Sequence, residues 1–369
     1  MAAGARHTCA LDDEGRTYCW GFNGEGQLGL APGADVGFQP GRLPTEPRFV
    51  SLAAGSSYTC GLTGPGEVFC WGTAPRGIAV APERIGPERI FTSVESRFGH
   101  LCGITADRRV ACLGRGEAGQ LGNGAHGEDA SSSVPVPVEG LTDVRQLALG
   151  VTFSCALGGP EGPWCWGAHD AGALGLGGLD PGPCEAMATG FTCVPVPAAV
   201  DIEPTLSHLV AGYYHVCGLT GDGGLLCWGD QEERQLGEVE SPDRCVWAPP
   251  SNAERACSRI PRTVDTRGNH FVSLRAGGFH TCGLTDSGEA FCWGSNVFGQ
   301  LGLVPGGSSL GPSAVEGGLR WRDLALGQVH TCGITVEGGA YCWGDGSWRQ
   351  LGSGDEQASR PVQVLPPVE

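Results

Sequence analysis

The chemistry written most plainly into this chain belongs to its cysteines. Fourteen of the 18 fall into seven pairs ten residues apart: Cys9/Cys19, Cys60/Cys70, Cys102/Cys112, Cys155/Cys165, Cys217/Cys227, Cys282/Cys292 and Cys332/Cys342. Two thiols at that spacing can form a disulfide, stay reduced as small apolar filler, or ligate a metal. Two thiolates per hairpin leave a zinc site short of ligands. An even count repeated in one register fits oxidised pairs in an oxidising compartment. The other four cysteines lie in the two longest insertions, Cys184 with Cys193 and Cys245 with Cys257, where pairing within each insertion is the simplest assignment.

Other residue types that could do chemistry point back to structure. Histidine stands two residues before the first cysteine at His7, His100, His215, His280 and His330, but Tyr58 and Phe153 fill the same slot in two copies. A metal set or proton relay would not survive those replacements, so the slot reads as packing or a backbone hydrogen bond. Trp20, Trp71, Trp166, Trp228, Trp293 and Trp343 follow the second cysteine and read as core. Trp247 stands apart, beside Pro249 and Pro250 in the fifth insertion and among Arg244, Arg255 and Arg259. An aromatic flanked by arginines has the composition of a partner-binding hot spot; the competing reading makes Trp247 the insertion's own small core. No metalloprotease, nucleophile-elbow, dinucleotide or EF-hand motif occurs, and no cofactor or metal is implied. Asp230, Glu232 and Glu233 read as solvated loop charges.

Charge narrows the partners. The net charge is −17, from 40 acidic and 23 basic residues, and every basic residue is arginine. Such a surface repels a nucleic-acid backbone unless a local arginine cluster overrides it, and none is evident. Without lysine, a Walker-type phosphate loop and Schiff-base catalysis are excluded. No stretch approaches the roughly 18 consecutive apolar residues of a membrane helix, and the opening MAAGARHTC lacks the apolar region of a signal peptide.

The elements that must position the cysteines are hairpins. In HTCGLTDSGEAFCWG, His280 to Gly294, a three-residue loop at Asp286-Ser287-Gly288 places Cys282 opposite Cys292, within disulfide reach. Gly288 then supplies the left-handed conformation of a type I turn with a bulge. Gly15, Gly66, Gly223 and Gly338 share that slot, whereas Arg108 and Glu161 replace it, so those two turns are expected to be distorted or shifted. An apolar strand ending in glycine precedes each hairpin. Trp-Gly, a Gly-Gln-Leu-Gly loop and a short proline-flanked strand follow it. Four short strands per copy and seven copies make an all-β, seven-bladed propeller of four-stranded blades.

The pattern Gly-x-x-His-Thr-x-x-Leu, Gly-x-(Val/Phe/Tyr)-x-x-Trp-Gly, Gly-Gln-Leu-Gly, carried for example by His280, Gly294, Gly299, Gln300, Leu301 and Gly302, resembles the repeat of the regulator of chromosome condensation family, in a bacterial secreted-type version with paired cysteines. The resemblance covers essentially all of residues 1–369, read as one propeller domain. Departures are Leu113 for tryptophan, Thr73-Ala74-Pro75-Arg76 where a Gln-Leu-Gly loop should begin, and Arg97 for a strand-ending glycine; those blades should be irregular. Only Met1 to Gly4 stand where about seven residues of inner strand are expected, so the start reads as truncated and any leader would lie upstream. The resemblance implies a monomeric binding scaffold, secreted, periplasmic or on the cell surface, that engages a protein or glycan through one face; one bacterial relative type inhibits β-lactamases. The alternatives are guanine nucleotide exchange on a small GTPase, as in the founding member, and a hydrolase or lyase sited in the channel. The insertions at 176–204 and 238–269 are expected to build the ligand-facing surface.

Overall fold

The computed structural model describes residues 1–34, 37–44, 47–74, 77–159, 162–169, 171–178, 184, 192–203, 205–238, 243–246 and 253–368. Among them are seven antiparallel sheets in chain order, six of four strands and one of five. The sixth shows the shared plan: an inner strand Phe271–Ala276, a hairpin of His280–Thr285 and Ala290–Gly294, and an outer strand Ser309–Ala314. The only helical element among the described residues is a 3-10 turn at Glu128–Ala130. Strand order dictates where loops emerge. The turn after the inner strand and the loop after the third strand share one end of each blade, here the loop face, and the hairpin turn lies at the other.

All seven hairpins place cysteine directly opposite cysteine. In the first three blades the facing pairs are Cys9↔Cys19, Cys60↔Cys70 and Cys102↔Cys112. In the last four they are Cys155↔Cys165, Cys217↔Cys227, Cys282↔Cys292 and Cys332↔Cys342. The Cα atoms of each pair are 4.0–4.1 Å apart and the sulfurs are bonded, so the fourteen cysteines form seven cystines and none is apolar filler or a thiolate ligand. Each such bridge closes a short loop and stabilises by about 2 to 3 kcal/mol through the unfolded chain. The turn glycines Gly15, Gly66, Gly223, Gly288 and Gly338 have φ between 76° and 90°. The expected distortion at Arg108 is absent: the arginine itself takes φ 58°, so the turn keeps the hydrogen bonds Thr105 N–H to Arg109 and Arg108 N–H to Thr105. Glu161 lies outside the described residues, although Leu157↔Pro163 keeps the fourth hairpin in register.

Irregularity follows the sequence departures only in part: the third blade, expected to be irregular, keeps four strands in the shared order, with Leu113 paired to Leu101 and Arg97 to His100. In the second blade no Gln-Leu-Gly loop forms; the third strand runs on to Ala74 and the fourth starts at Gly77, with Ala74↔Gly77 paired. In the first blade the inner strand is reduced to Ala2–Ala3 against Thr8 and Cys9. The fifth blade gains a strand from its insertion: Asp243–Val246 pairs outside Glu254–Val264. The ring closes between the seventh and first blades. There Trp20 Nε1 donates to the Gln350 carbonyl at 2.9 Å, and Gly41 bridges Val368. The six repeat tryptophans are fully buried between blades. No helix among the described residues is long and apolar enough to cross a membrane.

Candidate functional site

The repeated polar residues serve to join blades. His7 Nε2 meets Thr59 Oγ1 of the next blade at 2.8 Å, His100 meets Ser154 at 2.9 Å, His215 meets Thr281 at 2.9 Å, and His280 meets Thr331 at 2.8 Å. His330 meets Thr8 at 3.0 Å and closes the ring. The glutamine of the Gln-Leu-Gly loop offers its carbonyl to the same hydroxyl and to the tryptophan: Gln300 accepts from Thr331 Oγ1 and Trp343 Nε1, and Gln120 from Ser154 Oγ and Trp166 Nε1. The partner is thus a neighbouring side-chain hydroxyl, where packing or a backbone bond was expected. Where the hydroxyl is missing the histidine is missing too. Phe153 faces a blade with Val216 in that slot. Tyr58, facing Leu101, donates instead to the His100 carbonyl at 2.9 Å. Blade three, which receives no Gln-Leu-Gly carbonyl from blade two, has Leu113 in place of tryptophan. Burial pushes all five imidazoles down to about 3, so they are neutral and unsuited to proton transfer near neutral pH.

The channel holds a different set. Six inner strands end in glycine because a Cβ there would strike the ring three residues on; at Gly277 it would lie 2.3 Å from His280 Cε1. The third ends in Arg97, whose guanidinium spans the channel. Its Nε donates to the Leu149 carbonyl at 3.4 Å and its Nη2 to Ala211 and Ala276 at 2.9 and 2.8 Å, carbonyls of the three following inner strands. Arg97 borders a cavity of about 400 Å³ whose other lining includes Glu95, Gln146, His208, Arg275 and Asp323. Arg275 Nη2 and Asp323 pair at 2.7 Å. Water reaches Glu95 through the channel, yet protein surrounds its carboxyl. That poor solvation pushes its pKa up, against the pull of Arg275 and Arg97. His208 is pushed down by burial and then by Arg275.

The loop face carries a third set. Trp348, 41% exposed, is met by Phe22 edge-on at 4.9 Å and covered by the Arg6 guanidinium at 4.7 Å. Arg349 lies over Phe38 at 4.9 Å, and Phe38 is 40% exposed. Phe22, Asn23, Ser347, Trp348 and Arg349 line a cleft of about 400 Å³ between the first and seventh blades, and Val297 and Phe298 are exposed on the corresponding loop of the sixth. Arg349 holds φ 67° in the slot that Gly26, Gly119, Gly172 and Gly299 fill in four other copies and Arg234, at φ 61°, fills in the fifth blade, so the loop itself requires this conformation. Of the residues proposed from sequence, Trp247 lies outside the described residues. Arg244 is exposed, and Arg255 and Arg259 are half-buried on the added ribbon of the fifth blade. Arg259 turns back onto that ribbon, its Nη2 donating to the Arg244 carbonyl at 3.1 Å. Cys184 is bonded to Cys193 and Cys245 to Cys257, with Cα atoms 5.6 and 5.9 Å apart. The described residues offer one group with metal-ligand spacing, His126, Cys184 and Cys193; its two sulfurs are bonded to each other and so are not thiolate ligands. Trp348 was missed in the sequence. The signal was its slot, two residues before the glutamine, where other copies have Glu25, Ala118, Ala171, Glu233 and Phe298.

Comparison with known proteins agrees with this geometry. Two models of the regulator of chromosome condensation (RCC1) repeat match, one at residues 1–27, 49–77, 207–235 and 271–300, the other at 109–157 and 287–334, together more than half of the chain. The chain is 28% identical over 325 residues to the mitochondrial RCC1 domain-containing protein RUG3 of Arabidopsis thaliana, covering 86% of this chain and 58% of that protein. It is 26% identical to the ultraviolet-B receptor UVR8 of the same plant, over 82% of this chain and 54% of the receptor. It thus spans a little over half the length of these relatives. Among solved structures, Prp20p of Saccharomyces cerevisiae, described together with its binding to Gsp1p and histones, superposes with a TM-score of 0.80 at 18% identity, covering 97% of this chain and 87% of that one. Human WBSCR16 gives 0.77 at 20% identity, covering 95% and 94%. With seven matching blades, the inter-blade histidine and tryptophan bonds, and these repeat matches, the chain belongs to the regulator of chromosome condensation repeat family.

Proposed function

We propose that the chain is an extracytoplasmic binding scaffold that engages a protein or glycan partner through its loop face. The observation that carries this reading is the Trp348 cluster. An exposed indole held between Phe22 and Arg6, with Arg349 and Phe38 beside it, is a preformed anchor of the kind that dominates interfaces, where truncating one such side chain costs about 2 kcal/mol or more. Nine cystines support an oxidising compartment. They weigh against guanine nucleotide exchange in a reducing compartment, the activity of the family's founding member.

Site-specific photo-cross-linking in the native source tests the face. A photoreactive phenylalanine analogue at Trp348 is expected to trap a partner, and the same group at Glu337, on the hairpin turn of that blade and hence the opposite face, is expected to trap none. Adducts from Glu337 alone would overturn the assignment.

A further inference from the structure

The channel cavity has a charge arrangement that the fold does not use up. Of the four charged side chains named there, Arg275 and Asp323 neutralise each other at 2.7 Å, and Arg275 also donates to the carbonyls of Leu324 and Leu274. Arg97 gives Nε and Nη2 to three carbonyls, while its Nη1 has no hydrogen-bond acceptor among the described residues. Glu95 has neither hydrogen bond nor ion pair among them. Glu95 and Arg97 are alternate residues of the strand Phe91–Arg97, so both project to the channel, the carboxylate one layer above the guanidinium. The surrounding wall is mostly polar, with Gln146, His208 and Ser96 set among small residues such as Ala53 and Ala148. Glu95 is exposed to the water of the channel, so its carboxylate is solvated when no ligand is present and keeps its acceptor capacity for one.

We propose that this cavity is a binding site for a small zwitterion, an amino acid or dipeptide whose ammonium meets Glu95 and whose carboxylate meets Nη1 of Arg97. The four side chains sum to zero charge but hold it separated; the Met1 ammonium also lines the cavity, 4.0 Å from Asp323, with burial holding its pKa below the usual value. The separated charge matches a ligand that is itself neutral overall and carries both charges. A volume of about 400 Å³ holds such a molecule with a modest side chain and lies in the usual range for small-ligand sites. The site is independent of the loop-face reading and stands or falls without it.

Isothermal titration calorimetry of the oxidised protein with the 20 L-amino acids and a set of glycyl dipeptides provides the test. At least one is expected to bind with a Kd of about 1 mM or tighter, and its N-acetylated form about tenfold weaker or worse. Glu95→Gln, checked for an unchanged melting temperature, is expected to weaken the same ligand at least about tenfold. If that variant does not fold, the N-acetylated ligand decides alone. No binder in the panel, or a binder indifferent to N-acetylation or to Glu95→Gln, would overturn the proposal.

Discussion

At the scale of the residue, the seven slots that join neighbouring blades vary as pairs. Histidine occurs with a hydroxyl across the seam, tyrosine with Leu101, and phenylalanine with Val216, because a buried hydroxyl or Nε2 that loses its cross-seam partner costs more than an apolar contact in its place, even though Nδ1 of each histidine is itself unpaired. The cycle His215→Phe, Thr281→Val tests this. Each single change orphans a buried group and should cost about 1 to 3 kcal/mol, whereas the double change recreates the Phe153–Val216 seam and should cost well below their sum in urea denaturation. Simple additivity would contradict the pairing. The same variants carry a pH signature. His215 stays neutral down to about 3 when folded but titrates at 6.5 when unfolded, chiefly because burial penalises its charge. Between those values the unfolded chain binds a proton that the folded chain does not. Each such histidine therefore removes about 1.4 kcal/mol per unit as pH falls below 6.5, and His215→Phe should flatten that slope by one proton. The recurring histidines were visible in the sequence. Their partners were not, since each lies about 50 to 65 residues on, or on the far side of the ring closure, in a slot that makes sense only once blades are adjacent.

At the scale of the element, the hairpin was the most legible unit. Cysteines ten apart, a glycine at the turn and alternating small and large residues all specify one register, and Cys282↔Cys292 and Gly283↔Phe291 are the result. The misreading at Arg108 has a physical source. Turn hydrogen bonds, the strands and the cystine hold the backbone at positive φ, and the arginine tolerates the strain instead of shifting the turn. Arg108→Gly should therefore raise stability by about 1 kcal/mol with the hairpin unchanged, and Gly288→Arg should lower it by a similar amount. Thermal unfolding of the two variants checks both signs; a destabilised Arg108→Gly would show that the side chain stabilises the turn through contacts such as its 3.5 Å approach to Asp143. The missing loop of the second blade and Leu113 of the third looked like two unrelated departures. They meet at one seam: in five blades the tryptophan indole donates to a carbonyl of the preceding blade's loop, the exception being Trp71, which lacks that bond although its neighbour has the loop.

At the scale of the whole molecule, closure creates what no single repeat displays. Arg97 reads as a flaw in one strand until the ring brings three carbonyl ends within its reach, and the Trp348 cluster draws Arg6 and Phe22 from the opposite end of the chain. Neither could be read from local pattern; of the aromatic-arginine combination noticed in sequence, Arg244, Arg255 and Arg259 sit on the fifth blade and Trp247 lies outside the described residues. What the whole chain does state in its composition is redox chemistry: 18 cysteines, all paired among the described residues, on a scaffold without a free thiol. The account of an extracytoplasmic scaffold rests on those bonds existing in the native protein. Thiol titration of protein taken from its natural source, trapped with an alkylating agent and denatured without reductant, measures this directly. The account requires essentially no reactive thiol before reduction and 18 after it; a full complement of free thiols before reduction would contradict it.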